Sequence, residues 1–361
     1  MQTSQRSALA EVTLLFLKLG TIGFGGPAAH VSLMEEEVVR RRRWIDRQGF
    51  LDLLGVTHLI PGPNSTELAI HLGYVRAGWS GLFAAGAAFI VPAMLIVLAL
   101  SWAYVRFGTR HEIDWLLDGV KPVVIAIVVR AIGDLGATAV KGPRTLAAGA
   151  ITLALALWGF DPLLLLVLVG AAVTAAEAGV SHGAFWLLAA KAAVPVPVAA
   201  PLSLGSLFLV FLKFGSVIFG SGYVLLAFLQ SDLVVEYGWL TDRELLDAIA
   251  IGQLTPGPVF TTATFIGYLL AGVPGALVAT AGIFLPSFVL VGATRPLLPR
   301  IRRSKWAGAF LDGVNVASLS LMVVVTLELA SEAFDGPVTM AIGAGAMLLL
   351  WTTRMNPAWL I

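Results

Sequence analysis

The chain has 361 residues, of which 58% are hydrophobic and only 12% are charged, and its mean hydropathy is +0.89. Soluble globular proteins average about 45–50% apolar and about 25% charged residues, so this composition predicts a polytopic membrane protein. The net charge of +1 argues against a nucleic-acid partner, and the lack of cysteine excludes disulfides, thiol chemistry and cysteine metal ligands.

Long apolar stretches predict ten to thirteen membrane segments, because a helix crosses the bilayer in about 20 apolar residues. A β-barrel would show short alternating strands instead, so we expect an all-α polytopic membrane protein. The first series of stretches covers residues 9–30, 49–75, 79–105, 115–140, 145–159 and 162–180. The second series covers residues 204–230, 245–271, 274–298, 307–330 and 337–352.

The two halves of the chain carry the same sequence pattern. FLKLGTIGFGGP at 16–27 returns as FLKFGSVIFGSG at 211–222, and LIPGP at 59–63 returns as LTPGP at 254–258, both 195 positions later. We therefore expect an N-terminal transporter repeat over residues 1–183 and a C-terminal repeat over residues 206–361. Residues 184–205 are expected to link them, with room for one further short crossing.

Glycine and proline interrupt the first two segments of each half. The first breaks lie at residues 23–27 and 220–222, and the second at the Pro-Gly-Pro sequences 61–63 and 256–258. Proline removes a backbone donor and clashes with the preceding helical turn. Irregular backbone at membrane depth survives only where protein or a water-filled cavity satisfies it. The pattern predicts broken or re-entrant helices of the kind that form transport sites.

Equivalent loops of the two halves carry opposite charge. Five arginines lie at 40–47, whereas residues 232–247 hold one arginine among five acidic residues. The next pair of loops reverses this bias, with two arginines at 106 and 110 in the first half and four basic residues at 300–305 in the second. The following loop holds Lys141 and Arg144 in the first half, and its equivalent holds Glu332 and Asp335. Because basic loops stay cytoplasmic, the alternation predicts two inverted-topology repeats. The arginine run alone could instead be a stop signal or an anionic-lipid anchor.

These residues resemble a known family. GFGGP at 23–27, Trp44, PGP at 61–63, Gly73-Tyr74 and Gly78 together look like the signature of the chromate ion transporter family (CHR), and the second copy extends the resemblance over essentially the whole chain. The resemblance implies a secondary transporter of the bacterial inner membrane that exports chromate, built from two homologous halves of opposite orientation. The second copy departs from the pattern, because GFGGP is replaced by FGSGY at 219–223 and the proline is lost.

A tetrahedral dianion needs many N–H and O–H donors in place of water, and helix N-termini supply donors together with partial positive charge. We predict one oxyanion site where four half-helix ends converge. Its candidates in the first half are Gly25, Gly26, His30, Pro61, Gly62, Pro63, Asn64, Ser65 and Thr66. In the second half they are Gly220, Ser221, Gly222, Pro256, Gly257, Pro258, Thr261 and Thr262. The alternative is that these glycines and prolines serve only kinks and close helix packing.

Two further sets of side chains extend this prediction. Lys18 and Lys213 hold equivalent positions in apolar segments and are interpreted as charges that balance the dianion. The alternative for each lysine is snorkelling to an interface or pairing with a carboxylate. Glu67, with His58 and His71 nearby, is predicted to couple transport to protons.

The repeated Asp118 and Asp312, each followed by glycine, are interpreted as helix caps. Lys121 is expected on the same helix face as Asp118, where it would neutralise the carboxylate.

The function favoured is a secondary transporter of chromate or a sulfate-like oxyanion in a bacterial inner membrane. No Walker loop is present, and no cofactor, metal site or catalytic residue is expected. The expected partners are the oxyanion and the lipid bilayer; a homodimer is compatible with the sequence. The alternatives are a membrane enzyme or lipid-handling protein that uses the arginine run on headgroups, and a channel for another ion.

Overall fold

The computed structural model describes residues 2–107, 111–178, 201–219, 222–294, 305–353 and 360. Within these ranges the regular secondary structure is entirely helical. The first half contains α1 (Gln2–Ile22), α2 (Gly26–Glu35), α3 (Arg47–Thr57), α4 (Asn64–Phe107), α5 (His111–Ala139), α6 (Pro143–Leu157) and α7 (Pro162–Glu177). The second contains α8 (Leu204–Val217), α9 (Leu225–Phe228), α10 (Asp242–Leu254), α11 (Thr262–Thr294), α12 (Lys305–Ala333) and α13 (Pro337–Thr352). Residues 184–200 of the expected linker lie outside the described residues.

Four helical segments are long and apolar enough to cross a membrane: Asn64–Phe107, Asp118–Ala139, Val259–Thr294 and Lys305–Ala333. Four shorter apolar helices, α6, α7, α8 and α13, accompany them. The prediction of an all-α polytopic membrane protein is confirmed.

Helices α4 and α11 each fold back on themselves. At Ala77 and Gly78 the backbone of α4 leaves helical geometry, and Gly78 takes a φ of 64° that favours glycine. Beyond this bend the chain returns, so that a Cβ at Gly73 would meet the carbonyl oxygen of Gly81. In α11 the same reversal occurs at Ala271 and Gly272. Each of these helices is therefore a hairpin with an N-terminal and a C-terminal arm.

The two halves correspond element by element. Helices α1 to α6 match α8 to α13 in order, and each half has a π-helical turn in the same place, at Glu36–Arg41 and Leu229–Glu236. Gly20 of α1 packs against the backbone of α4, and Gly215 of α8 packs in the same way against α11. Helix α7 has no counterpart in the described part of the second half.

The C-terminal arms of α4 and α11 run antiparallel where they meet. Gly292 lies against Trp79, and the rings of Phe83 and Phe288 stack with centroids 5.9 Å apart. Further along α4, Gly86 also faces Phe288. Residue numbers rise along one arm as they fall along the other, so two equivalent helices point in opposite directions.

The capping interpretation of the repeated aspartates is wrong. Asp118 and Asp312 each lie well inside a helix, because α5 begins at His111 and α12 at Lys305. The expected pairing of Lys121 with Asp118 is confirmed, with Nζ 2.8 Å from Oδ1.

Candidate functional site

The first break is the tip of a helical hairpin. Helix α1 ends at Ile22, and α2 begins at Gly26 after a left-handed Gly25 with a φ of 104°. The two helices run back along each other, because Lys18 of α1 reaches Glu37, beyond the end of α2, with an Nζ–Oε1 distance of 2.9 Å. The tip therefore presents irregular backbone at residues 23–25.

The second break joins two half-helices. Helix α3 ends at Thr57 and α4 begins at Asn64, with Gly62 between them at a φ of 136°. In the second half, α10 ends at Leu254 and a short 3₁₀ turn begins at Val259, with Gly257 at a φ of 89°. Only glycine adopts such conformations without strain, so both Pro-Gly-Pro sequences need their central residue.

The hairpin tip of each half binds the Pro-Gly-Pro break of the other half. The N–H of Gly62 donates to the carbonyl oxygen of Ile218 at 2.7 Å, and the N–H of Gly257 donates to that of Gly23 at 2.8 Å. The 195-residue offset relates Gly62 to Gly257 and Gly23 to Ile218, so the two hydrogen bonds are equivalent and reciprocal. We call these four residues, 23, 62, 218 and 257, the crossed breaks; the Gly62–Ile218 contact is the first crossing and the Gly257–Gly23 contact is the second.

His30 supports one of these crossings. Its Nε2 lies 2.9 Å from the carbonyl oxygen of Gly23, which also accepts from Gly257. The ring is buried edge-on against Phe89, with centroids 5.3 Å apart. His30 therefore fixes the acceptor that holds the second Pro-Gly-Pro sequence.

Many of the groups that were predicted to donate to an anion donate instead to backbone carbonyl oxygens of the protein. The N–H of Thr66 donates to Pro63 at 2.8 Å. In the second half, the hydroxyl group of Thr261 donates to Pro258 and that of Thr262 to Val259, both at 2.8 Å. By contrast, the buried hydroxyl group of Thr66 has no hydrogen-bonding partner among the described residues.

Glu67 is completely buried beside the first Pro-Gly-Pro break. A Cβ on Gly62 would collide with Glu67 Oε1 and would lie 2.8 Å from the Ser287 hydroxyl group. The carboxyl group thus lies between its own break and a helix of the other half. Ser287 lies beside it, but neither carboxyl oxygen has a hydrogen-bonding partner of good geometry among the described residues. At the other crossing Thr262 stands in place of Glu67 and Ala93 in place of Ser287, so the carboxyl group is confined to one crossing.

Both candidate histidines of the coupling set adjoin this break. His58 follows the last residue of α3, and its Nδ1 lies 2.9 Å from the side-chain nitrogen of Asn64. Because the amide nitrogen can only donate, His58 accepts at Nδ1 and carries a proton on Nε2. His71 is buried one helical turn after Glu67.

The two lysines are held in equivalent ion pairs. Lys213 Nζ lies 2.7 Å from Asp232 Oδ2, which matches the Lys18–Glu37 pair. The hydrogen bond from Lys18 lowers the pKa of Glu37, against the opposing effect of burial, and Arg42 lowers it further. Burial raises the pKa of Asp232, because the charge of Lys213 offsets only part of its loss of solvent. The alternative of carboxylate pairing therefore describes both lysines in this structure.

The structure joins each Pro-Gly-Pro sequence to the hairpin tip of the other half, but the carbonyl oxygens that meet the breaks belong to Gly23 and Ile218 rather than to Gly25 or Gly26. Gly222 begins a 3₁₀ turn, whereas Gly220 and Ser221 lie outside the described residues. Sequence reasoning missed Ile218 and Ser287. The offset from Gly23 points to Ile218, but an isoleucine and a serine carry no functional signal of their own.

Comparison with known proteins identifies the family of this chain. A family model described as chromate transporter matches residues 10–175 and 205–361. A chromate transport protein of Cupriavidus metallidurans is 33% identical over 99% of this chain and 92% of its own length. A probable chromate transport protein of Synechococcus elongatus is 32% identical over 95% and 90%, and a chromate transport protein of Pseudomonas aeruginosa is 32% identical over 94% and 87%. No solved structure matches the chain. With both halves matched, the chain belongs to the chromate transporter family.

Proposed function

We propose that this transporter is a secondary exporter of tetrahedral oxyanions in a bacterial inner membrane, with chromate as its substrate and sulfate as the isosteric competitor. The observation that carries the proposal is the reciprocal crossing of the two breaks. Each crossing joins irregular backbone from both halves, which is where inverted-repeat transporters bind their substrates. A conformational change that separates a tip from its Pro-Gly-Pro partner would release a backbone N–H for the ion.

The first crossing is the stronger candidate for anion contact. The N-terminus of α4 begins there and carries about half a positive charge. The Thr66 hydroxyl group, which has no hydrogen-bonding partner among the described residues, adds a donor within the same turn. Glu67 lies in the following position, where an ionised carboxylate would repel a dianion and a protonated one would donate to it. We therefore propose that proton uptake at Glu67 is linked to anion binding.

Flux through purified protein in proteoliposomes tests this function. Chromate or sulfate should enter protein-containing vesicles faster than empty ones, with saturation, and an imposed pH gradient should accelerate the flux. The Glu67→Gln variant should keep the flux but lose its response to the gradient. Absence of flux for both anions would reject the transport proposal. An unchanged response to the gradient in the variant would remove Glu67 from coupling.

We also propose that the two repeats cross the membrane with opposite topology. The antiparallel arms of α4 and α11 support it, as do the alternating loop charges. Because the chain lacks cysteine, single cysteines can report on each side of the membrane. Gln48 and Arg243 are exposed, equivalent residues in the first turns of α3 and α10.

Cysteines that replace Gln48 and Arg243 should react with a membrane-impermeant thiol reagent from opposite sides of the membrane. Right-side-out and inverted vesicles provide the two accessibilities, and permeabilised vesicles provide the control in which both sites react. Reaction of both cysteines from the same side would refute opposite topology.

A further inference from the structure

A cavity of about 400 Å³ opens beside the first crossing. Phe219 and Val224 of the second half line one wall, close to the hairpin tip that binds Gly62, and His58 lines another. His58 also contacts Asn64, the first residue of α4, so the His58 ring lies between the cavity and the start of that helix. The remaining described lining residues are Leu135, Thr138, Ala139, Lys141, Asn315, Ser318, Leu319 and Met322.

The polar lining of this cavity suits an anion. Lys141 supplies a positive charge, and His58, Asn315 and Ser318 supply N–H or O–H donors. The Ser318 hydroxyl group is buried and has no hydrogen-bonding partner among the described residues. None of the described residues that line the cavity is an aspartate or a glutamate.

Lys141 is available for a ligand although it is ion-paired. Its Nζ lies 2.6 Å from Asp312 Oδ1, but the lysine side chain is 60% exposed. Exposed ion pairs contribute little to stability, so a dianion can compete for this ammonium group at small cost.

The equivalent region of the other repeat has different chemistry. Lys121 stands at the position of Asn315 and is buried in contact with Asp118 and Asp247, at 2.8 and 3.5 Å. The Tyr104 hydroxyl group donates to Asp247 at 2.8 Å. Val124 replaces Ser318 and is 1% exposed. One member of the symmetric pair is thus a donor-lined cavity, and the other is packed around an internal ion-pair cluster.

We propose that the cavity is an anion-binding vestibule, in which Lys141, His58, Asn315 and Ser318 hold a tetrahedral oxyanion before it reaches the first crossing. The ion's identity rests on the proposed function, whereas the preference for negative charge follows from the lining itself. The packed counterpart makes the vestibule one-sided, so among the described residues this conformation offers ions a donor-lined approach to the crossed breaks from one face.

Cysteine labelling in the naturally cysteine-free chain tests the vestibule. Leu319 lines the cavity without being one of the proposed ligands, and its equivalent in the other repeat is Ile125, which is 3% exposed. The Leu319→Cys variant should react with an anionic thiosulfonate about tenfold faster than with a cationic reagent of the same size, because a basic cavity concentrates anions. Sulfate should slow this reaction, and the Lys141→Gln substitution should reduce the tenfold preference. Ile125→Cys is the matched control and should react slowly with both reagents.

Three results would overturn the proposal: equal reaction with both reagents at Leu319→Cys, no protection by sulfate, or equal reaction at the two cysteine positions. Thr138→Cys, at an exposed residue of the same lining, serves if Leu319→Cys does not fold. Labelling needs no transport. Anion-selective labelling without flux would therefore reject the proposed function alone, and flux with unselective labelling would reject the vestibule alone.

Discussion

Alanine at Gly62 should abolish oxyanion flux and lower the thermal stability of the protein. The native φ of 136° is unfavourable for any residue with a Cβ, at a cost of about 1–3 kcal/mol. The new methyl group would also collide with Glu67 and press on Ser287, which lies 2.8 Å from the Cβ position. The Glu67 carboxyl group must turn away to admit the methyl group, and the strained φ lies in the residue whose N–H donates to Ile218, so we expect the first crossing to be lost.

The measurement is flux per folded protein, with folding followed by size-exclusion profile and melting temperature. Gly133→Ala is the matched control, because a Cβ there meets nothing within 4 Å and the residue is helical. Gly257→Ala should resemble Gly62→Ala, since its Cβ would lie 2.6 Å from that of Ala93. Normal flux in a folded Gly62→Ala variant would show that the first crossing is not part of the transport site.

Glutamine at Lys213 should destabilise the protein strongly, whereas glutamine at Lys18 should have a small effect. Asp232 is 1% exposed, so removal of Lys213 leaves a buried carboxylate without its ion pair, at a cost on the order of 3 kcal/mol. Glu37 keeps Arg41 and Arg42 when Lys18 is removed, and Lys18 itself is half exposed.

The Lys213→Gln/Asp232→Asn double variant separates a structural role from a role in substrate binding. It removes both charges, so stability should return toward that of the wild type. Melting temperature measures the structural role, and chromate flux of the folded double variant measures the role in substrate binding. Wild-type flux in the double variant and in Lys18→Gln would remove both lysines from the oxyanion site. Lost flux in a stable double variant would keep Lys213 as a substrate contact.

The fold was largely readable from the sequence, because its main features are local. Apolar length predicted helices, and the breaks predicted from glycine and proline lie between helices at residues 23–25 and 58–63. The interpretation of Asp118 as a helix cap was wrong for a local reason as well. The residues before it include the charged Glu112 and Asp114, so the sequence did not indicate that α5 already begins at His111.

The candidate site was less predictable, because its contacts join residues that are far apart in the chain. Gly62 bonds Ile218 through backbone atoms, and no side-chain type encodes that choice. Lys213 and Asp232 are 19 positions apart, and only the hairpin between α8 and α9 brings them together. The residue types therefore marked where the breaks lie, whereas the tertiary fold decided what each break contacts.

The crossed breaks have a consequence for the origin of the chain. Gly62 and Gly23 belong to one repeat, and each finds its hydrogen-bonding partner in the other. A single repeat is thus self-complementary: two copies inserted upside down relative to each other would satisfy both breaks as an antiparallel homodimer. Fusion of two copies turns that contact between subunits into an internal one and releases the halves from identity. Glu67 opposite Thr262, and the donor-lined cavity opposite the Lys121 cluster, are differences that two identical copies could not keep.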